Sequence, residues 1–120
     1  MNPATKGHCL IIPKEHFDNI YDLDGETAGK LFALATCIAR AMKDALKCDG
    51  LNLVQNNGEV AGQTVNHFHL HLIPRYEGDG LNLNWPQQEM SGEQLEEIRQ
   101  SIKKVNLTVQ MDECFGNKSK

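Results

Sequence analysis

Apolar residues recur at steps of three and four between Asp24 and about Lys47, which is the spacing of one buried helical face. Asp24 has the side chain of a good N-cap, and Cys48-Asp49-Gly50 supplies the expected stop signal. The pattern therefore predicts a long amphipathic helix. Its apolar face comprises Ala28, Leu31, Phe32, Ala35, Ile38, Ala39, Met42, Ala45 and Leu46.

A second, shorter helix is predicted near the end of the chain. Ser91-Gly92-Glu93-Gln94 resembles a capping box, and apolar residues follow at helical spacing to about Val105. Residues 107–109 are then expected to form a last strand or an arm, and residues 116–120 a frayed end.

Three short segments have the composition or the alternation of β-strands. Cys9–Ile12 is an apolar run closed by a proline, which favours a buried strand. Leu51–Asn56 alternates in part, and Thr64–Ile73 alternates over its whole length and stops at Pro74. Because Asn57-Gly58 between them is a strong turn signal, we predict two strands joined by a glycine-bearing loop.

Three histidines alternate within the last of these segments. In a strand, side chains at alternate positions share a face, so His67, His69 and His71 would form a row at intervals of about 6.6 Å. His8 lies at the start of the first predicted strand. The face opposite the row, which should pack on the core, carries Phe68, Leu70 and Leu72.

The histidine row is open to three interpretations. The imidazoles could be half-exposed spacers, could hold zinc with a further ligand, or could perform covalent catalysis, one attacking an electrophile while a neighbour fixes its tautomer. The preceding loop, Asn56–Thr64, combines glycines with amide and hydroxyl side chains, which suit phosphate and ribose oxygens. No His-x-x-x-His spacing or acidic cluster completes a metal site. The context therefore favours catalysis, with no metal.

Composition narrows the class of protein. The chain has 120 residues, 40% of them apolar and 23% charged, as expected for one ordinary globular domain over residues 1–120. A net charge of −4 argues against nucleic acid or an anionic membrane as partner. Without an apolar stretch long enough for a membrane span, and without a signal peptide, a cytoplasmic location is expected. The scattered cysteines are expected to be free, mostly buried thiols.

Two sequence motifs resemble a known family. Gly62–Arg75, with its His-Phe-His-Leu-His-Leu-Ile core, resembles the signature of the histidine triad (HIT) superfamily. Gly7–His16 is similar to a Gly-His-x-Leu-Ile-Ile-Pro-Lys-x-His segment of the Hint branch of that superfamily. The resemblance runs in family order from Asn2 to about Trp85.

The resemblance implies an α+β fold, with an antiparallel sheet, one long helix and a C-terminal helix, paired as a two-fold homodimer. The helix over Glu26–Lys47 would form part of the dimer interface, although its apolar stripe could equally cover the sheet of its own protomer. The implied activity is hydrolysis or transfer at the α-phosphate of purine nucleoside phosphoramidates, without a cofactor. AMP or GMP would be the bound mononucleotide.

The resemblance also assigns roles to individual residues. His69 would be the nucleophile that forms a nucleotidyl-histidine intermediate, and His71 would bond the phosphate. His8 and His67 would orient these two rings and serve proton transfer, with the His67 carbonyl fixing the tautomer of His69. A catalytically weak nucleotide-binding or scaffold protein is the alternative.

Phosphate and ribose contacts are implied for the loop before the triad. They fall on Asn56, Gln63 and Thr64, with the Gln63–Val65 backbone against the α-phosphate. These residues could instead be simple turn formers. Trp85 would reach the partner protomer's site or have a plain packing role, and Arg75 would counter phosphate charge or form a surface ion pair.

The chain departs from the family pattern in two ways. Relatives carry a segment before the point that matches Asn2, and an aspartate there holds the ribose hydroxyls. Since Met1 stands where the residue after that aspartate would be, we expect weaker nucleotide binding. Many bacterial relatives also have a Cys-x-x-Cys pair that joins the counterparts of His16 and His67 in a zinc site. Because this chain lacks the cysteine pair, we predict no zinc.

Overall fold

A computed structural model describes residues 2–105 of the chain. The predictions made for residues 107–109 and 116–120 fall outside this range. The described residues form two compact units that divide after Asn82. In chain order, the elements are β1 (Cys9–Ile11), α1 (Gly25–Leu46), β2 (Gly50–Val54), a single 3₁₀ turn (Glu59–Ala61), β3 (Leu70–Arg75) and, in the second unit, α2 (Gly92–Lys103).

The sheet has the strand order β1-β3-β2, and both pairings are antiparallel. Strand β3 is therefore central. In the register, Leu10 of β1 and Val54 of β2 lie opposite His71 of β3. The predicted combination of an antiparallel sheet, one long helix and a later helix is confirmed.

Helix α1 begins where the sequence predicts, because the Asp24 carboxylate accepts a hydrogen bond from the Thr27 N–H. Its predicted stop is wrong in detail. Lys47 itself adopts the left-handed conformation, with φ 53°, and donates its N–H to the Lys43 carbonyl. Because this closes the last turn without a glycine, Gly50 is free to begin β2 instead.

One face of α1 covers the sheet, as its apolar stripe predicts. Phe32 nevertheless remains 59% exposed, so the stripe is wider than the face that this unit buries. The alternating apolar residues around the histidines also lie in the core, and Leu72 is completely buried. The core cluster consists of Ile11, Phe17, Leu31, Ala35, Met42, Phe68, Leu70 and Leu72.

Strand β3 differs from its prediction at both ends. It begins at Leu70 instead of Thr64, since the Phe68 N–H donates to the Phe17 carbonyl of a loop and not to a neighbouring strand. It also runs through Pro74 to Arg75. Beyond the level of Leu72, β3 pairs only with β2, and a proline is tolerated where a strand has one free edge.

Helix α2 confirms the predicted capping box. The Ser91 hydroxyl accepts a hydrogen bond from the Gln94 N–H, and the Gln94 side chain accepts one from the Ser91 N–H. The two bonds satisfy backbone donors that the first turn of a helix leaves without partners.

The three cysteines that the structure describes are less buried than expected. Cys9 and Cys48 are half-buried, and burial raises the pKa of the Cys9 thiol. Cys37 is exposed because it lies on the face of α1 that points away from the core.

Within residues 2–105, neither helix combines the length and the apolar character that crossing a membrane requires.

Arg75 forms an ion pair at the end of β3, as one of the two alternatives for this residue predicts. Its Nε lies 2.8 Å from Oδ2 of Asp79, its Nη2 lies 3.1 Å from Oδ1, and its Nη1 donates to Asn52. Asp79 also accepts the backbone N–H groups of Tyr76 and Leu81, and its side chain is only 10% exposed. The Arg75 guanidinium therefore closes a turn, with Asp79 as its partner.

The pair predicts a specific acid sensitivity. Hydrogen bonds from Arg75, and then from the backbone, hold the pKa of the Asp79 carboxyl far below its ordinary value of 3.8. A pKa lower in the folded than in the unfolded chain stabilises above the unfolded value, and that stabilisation is lost as pH falls through the folded one. We therefore expect Asp79→Asn to lower the melting temperature at neutral pH, by an amount that shrinks below about pH 4.

Circular dichroism melts from pH 7 to pH 3 measure this effect. Asp44→Asn is a matched control, because Asp44 is exposed on α1 and its carboxylate makes no hydrogen bond or ion pair with the described residues. A difference in melting temperature between Asp79→Asn and the parent that stayed constant over this range would contradict the prediction.

Candidate active site

The histidine rings form two groups instead of the single row that alternation predicts. His8, His71 and His69 are contiguous, with ring centroids 5.1 Å apart for the first pair and 4.9 Å for the second. The His67 ring instead contacts His16, at 4.9 Å. The row is wrong because residues before Leu70 are not in a strand, so the two-residue period does not extend to His67.

A chain of hydrogen bonds fixes the proton positions on His8 and His71. The Ala4 N–H donates to Nδ1 of His8, at 2.9 Å, so the proton of a neutral His8 ring lies on Nε2. That Nε2–H faces Nδ1 of His71, also at 2.9 Å. His71 must accept there and carry its own proton on Nε2. Burial, followed by His69 and His8, lowers the pKa of His71 and favours this neutral form.

His69 has the opposite tautomer. Its Nδ1 lies 2.8 Å from the carbonyl oxygen of His67, which can only accept, so Nδ1 carries the proton. The lone pair is left on Nε2. Two neighbouring rings, 72° apart in plane, thus present a nucleophilic nitrogen on His69 and an N–H donor on His71.

The second pair of rings is anchored by backbone and carboxylate. Nδ1 of His16 lies 2.8 Å from Nδ1 of His67, Nε2 of His16 lies 2.7 Å from the Asp18 carboxylate, and Nε2 of His67 lies 3.2 Å from the Pro13 carbonyl. The Asp18 carboxylate and the Pro13 carbonyl can only accept, so an Nε2–H makes each of these two contacts. The pair holds the His67 backbone, and with it the carbonyl that orients His69.

The zinc site that the family resemblance describes for the counterparts of His16 and His67 has no further ligand among residues 2–105. The two rings face one another directly through Nδ1, at hydrogen-bond distance. Within residues 2–105 no group of three histidine, cysteine or acidic side chains is placed to hold a metal ion. Tetrahedral zinc takes three or four such ligands.

The predicted phosphate ligands in the loop between β2 and β3 differ in how far they are exposed. Thr64 and Val65 are exposed, and Asn56 is half-buried with a carboxamide that makes no hydrogen bond to the described residues. Gly62 has φ +98°, and a Cβ there would lie 3.4 Å from Nδ2 of Asn56. The positive φ therefore favours a glycine here, while a Cβ would make only an ordinary contact with Asn56.

Gln63 is the exception, since its side chain is 8% exposed and makes three hydrogen bonds within the protein. Asn57, which sequence reasoning took only as a turn former, also has a structural contact: its Oδ1 accepts from the Ile20 N–H at 2.8 Å.

A cleft of about 550 Å³ opens beside Gln63. It is lined by Asp18, Asn19, Gly58, Glu59, Gln63, Thr64 and Asn66.

Two contributors to the site were missed by sequence reasoning, which took His16 only as the counterpart of a zinc ligand. The Asp18 carboxylate follows the strand β1 motif and carries a weak signal, because a histidine two residues from an aspartate is a common surface pattern. The Ala4 N–H carries no signal in the sequence, since a backbone donor is independent of residue type. Trp85 lies in the second unit and is 81% exposed; its assigned role stays a prediction.

Comparison with known proteins gives consistent matches. The protein named "Protein hit" of Bacillus subtilis is 44% identical over 107 residues, which cover 87% of this chain and 74% of that protein. The adenosine 5′-monophosphoramidase hnt1 of Schizosaccharomyces pombe is 37% identical over 101 residues, which cover 83% of this chain and 73% of that protein. A crystal structure of a HIT family member from Bacillus subtilis superimposes with a TM-score of 0.79 at 45% identity, covering 85% of this chain and 74% of that one.

A family model identifies the family of this chain. The HIT domain model matches residues 1–78, which include both histidine groups and the loop between β2 and β3. The family resemblance seen in the two motifs is therefore confirmed over most of the chain, and the protein belongs to the HIT domain family.

Proposed function

We propose that this protein hydrolyses purine nucleoside phosphoramidates at the α-phosphate, with His69 as the nucleophile. The observation that carries the proposal is the fixed pair of tautomers, a lone pair on Nε2 of His69 beside an Nε2–H on His71. A relative named for adenosine 5′-monophosphoramidase activity supports the substrate class.

The proposed reaction has two displacement steps. Nε2 of His69 attacks the α-phosphorus, a phosphorus–nitrogen bond to the ring forms, and the bond to the leaving amine breaks as the amine takes up a proton. Water then attacks the same phosphorus, gives up a proton, and releases the nucleoside monophosphate and free His69. The His67 carbonyl stabilises the positive charge that develops on the His69 ring, because it accepts a hydrogen bond from the Nδ1–H.

The remaining side chains would bind the phosphate. His71 would donate its Nε2–H to a nonbridging oxygen, which gains charge in the transition state. His8 fixes the tautomer that makes this donation available. Three further groups would surround the other phosphate oxygens. They are the exposed Thr64 hydroxyl, the backbone over Gln63–Val65, and the Asn56 carboxamide, which makes no hydrogen bond to the described residues.

We include in the proposal a homodimer, a cytoplasmic location and AMP or GMP as the bound product. The exposure of Phe32 at 59% and Leu34 at 48% on α1 supports an interface along that helix. Trp85 would reach the partner's site in such a dimer.

Incubation with an adenosine 5′-phosphoramidate of a fluorogenic amine tests the function. We expect steady release of the fluorophore, and a covalent adenylyl adduct of the protein in acid-quenched samples analysed by mass spectrometry. Binding of AMP without release of the amine would contradict the proposal and support a nucleotide-binding scaffold.

A further inference from the structure

Gln63 is the one polar or charged residue with a buried side chain among those that the structure describes, at 8% exposure. Its carboxamide uses every polar atom it has. Oε1 accepts the Gly58 N–H at 2.8 Å, while Nε2 donates to the Asp18 carbonyl at 2.6 Å and to the Val65 carbonyl at 3.0 Å. These bonds use both N–H groups of the amide, so it has no donor left for a phosphate oxygen.

The three partners lie on three different parts of the site. Gly58 opens the turn between β2 and β3, and a further bond from the Gln63 N–H to the Gly58 carbonyl, at 3.0 Å, closes that turn. Val65 follows in the segment whose backbone is proposed to bind phosphate. Asp18 belongs to the loop after β1, and its carboxylate holds His16, which in turn contacts His67.

We propose that Gln63 is a positioning residue that ties the phosphate-binding backbone to the segment supporting the histidines. It would act through Gly58, Val65 and Asp18 without touching substrate. This inference rests on the proposed function, since the segment over Gln63–Val65 is assigned to phosphate there. For the Gln63 amide to contact phosphate directly, its side chain would have to leave a buried position. The Gly58 N–H would then lose its hydrogen-bond acceptor.

Gln63→Glu tests the inference because it keeps the shape and changes only the donors. An ionised glutamate can still accept from Gly58 but places a negative charge against the carbonyls of Asp18 and Val65. A protonated glutamate regains one donor. Burial at this position and the carboxylates of Asp18 and Glu59 in the same cleft oppose ionisation, whereas the His16 ring on the Asp18 carboxylate favours it when protonated. Because burial acts on the glutamate directly, the neutral form should be restored in mildly acidic solution.

We expect Gln63→Glu to lower kcat/KM by about 10- to 100-fold at pH 8, mostly in kcat, because small displacements of a binding group are costly to rate. The ratio of variant to parent should rise several-fold as the pH falls to 6. AMP affinity, measured by calorimetry, should follow the same pattern with a smaller change. Gln63→Met, which supplies no donor at any pH, should show the loss without the recovery.

Gln94→Glu is the matched control, since a glutamate preserves the capping box of α2 in the other unit and should leave activity at the parent level at both pH values. Melting temperatures at both pH values confirm that the variants are folded. The inference is wrong if Gln63→Glu stays within about twofold of the parent at pH 8, or if its loss is as insensitive to pH as that of Gln63→Met. A parent chain without hydrolysis would contradict the proposed function alone, because AMP affinity would still report on Gln63.

Discussion

Replacement of His69 by asparagine is expected to lower phosphoramidate hydrolysis by at least about three orders of magnitude. Asparagine can still donate an N–H to the His67 carbonyl, as Nδ1 of His69 does at 2.8 Å. It has no lone pair comparable to that of Nε2, so the covalent intermediate cannot form. The fluorogenic assay under single-turnover conditions measures the effect.

The His69→Asn variant should remain folded and should still bind AMP. Because the hydrogen bond to His67 is retained and the ring is only half-buried, the melting temperature should stay close to that of the parent. AMP should still bind, since the phosphate donors of His71 and the loop remain. A variant that kept more than about one per cent of the parent rate would place the nucleophile elsewhere.

Replacement of Leu72 by alanine is expected to reduce the free energy of unfolding by about 2–5 kcal/mol. Leu72 is completely buried at the centre of β3, and its backbone pairs with Cys9 on one side and Leu53 on the other. Removing its branched side chain leaves a cavity that the surrounding core cannot fill by a small movement. Urea unfolding followed by circular dichroism gives the change directly.

Leu53→Ala is the control, because Leu53 is the register partner of Leu72 on β2 but is 40% exposed. The same loss of atoms should cost clearly less there, since fewer contacts disappear and the site opens to water. Equal destabilisation by the two substitutions would contradict the assignment of Leu72 to the centre of the core.

Features that depend on neighbouring residues could be predicted from the sequence. The start of α1 at Asp24 and the capping box at Ser91 are local, because a side chain bonds a backbone N–H three residues away. Strand β1 and the burial of Leu70 and Leu72 follow from apolar residues and their alternation. The two motifs were specific enough to indicate the family, which the HIT domain match confirms.

Features that depend on distant partners could not be predicted. Alternation placed His67 beside His69, but its ring turns to His16, which is 51 residues away in the chain. The start of β3 was misplaced because Phe68 bonds the loop carbonyl of Phe17, and no local pattern encodes that contact. The ion pair of Arg75 with Asp79 likewise depends on how the chain turns after β3.

By itself, therefore, the sequence determined which residue types the site contains, which segments are helical, and which side of β3 enters the core. The tertiary structure alone decided the chemical state of each imidazole. A neutral ring has two tautomers of similar energy, and the partner that each nitrogen meets selects one of them. Those partners include the Ala4 N–H and the His67 carbonyl, which are backbone groups that every sequence carries and only a fold can place.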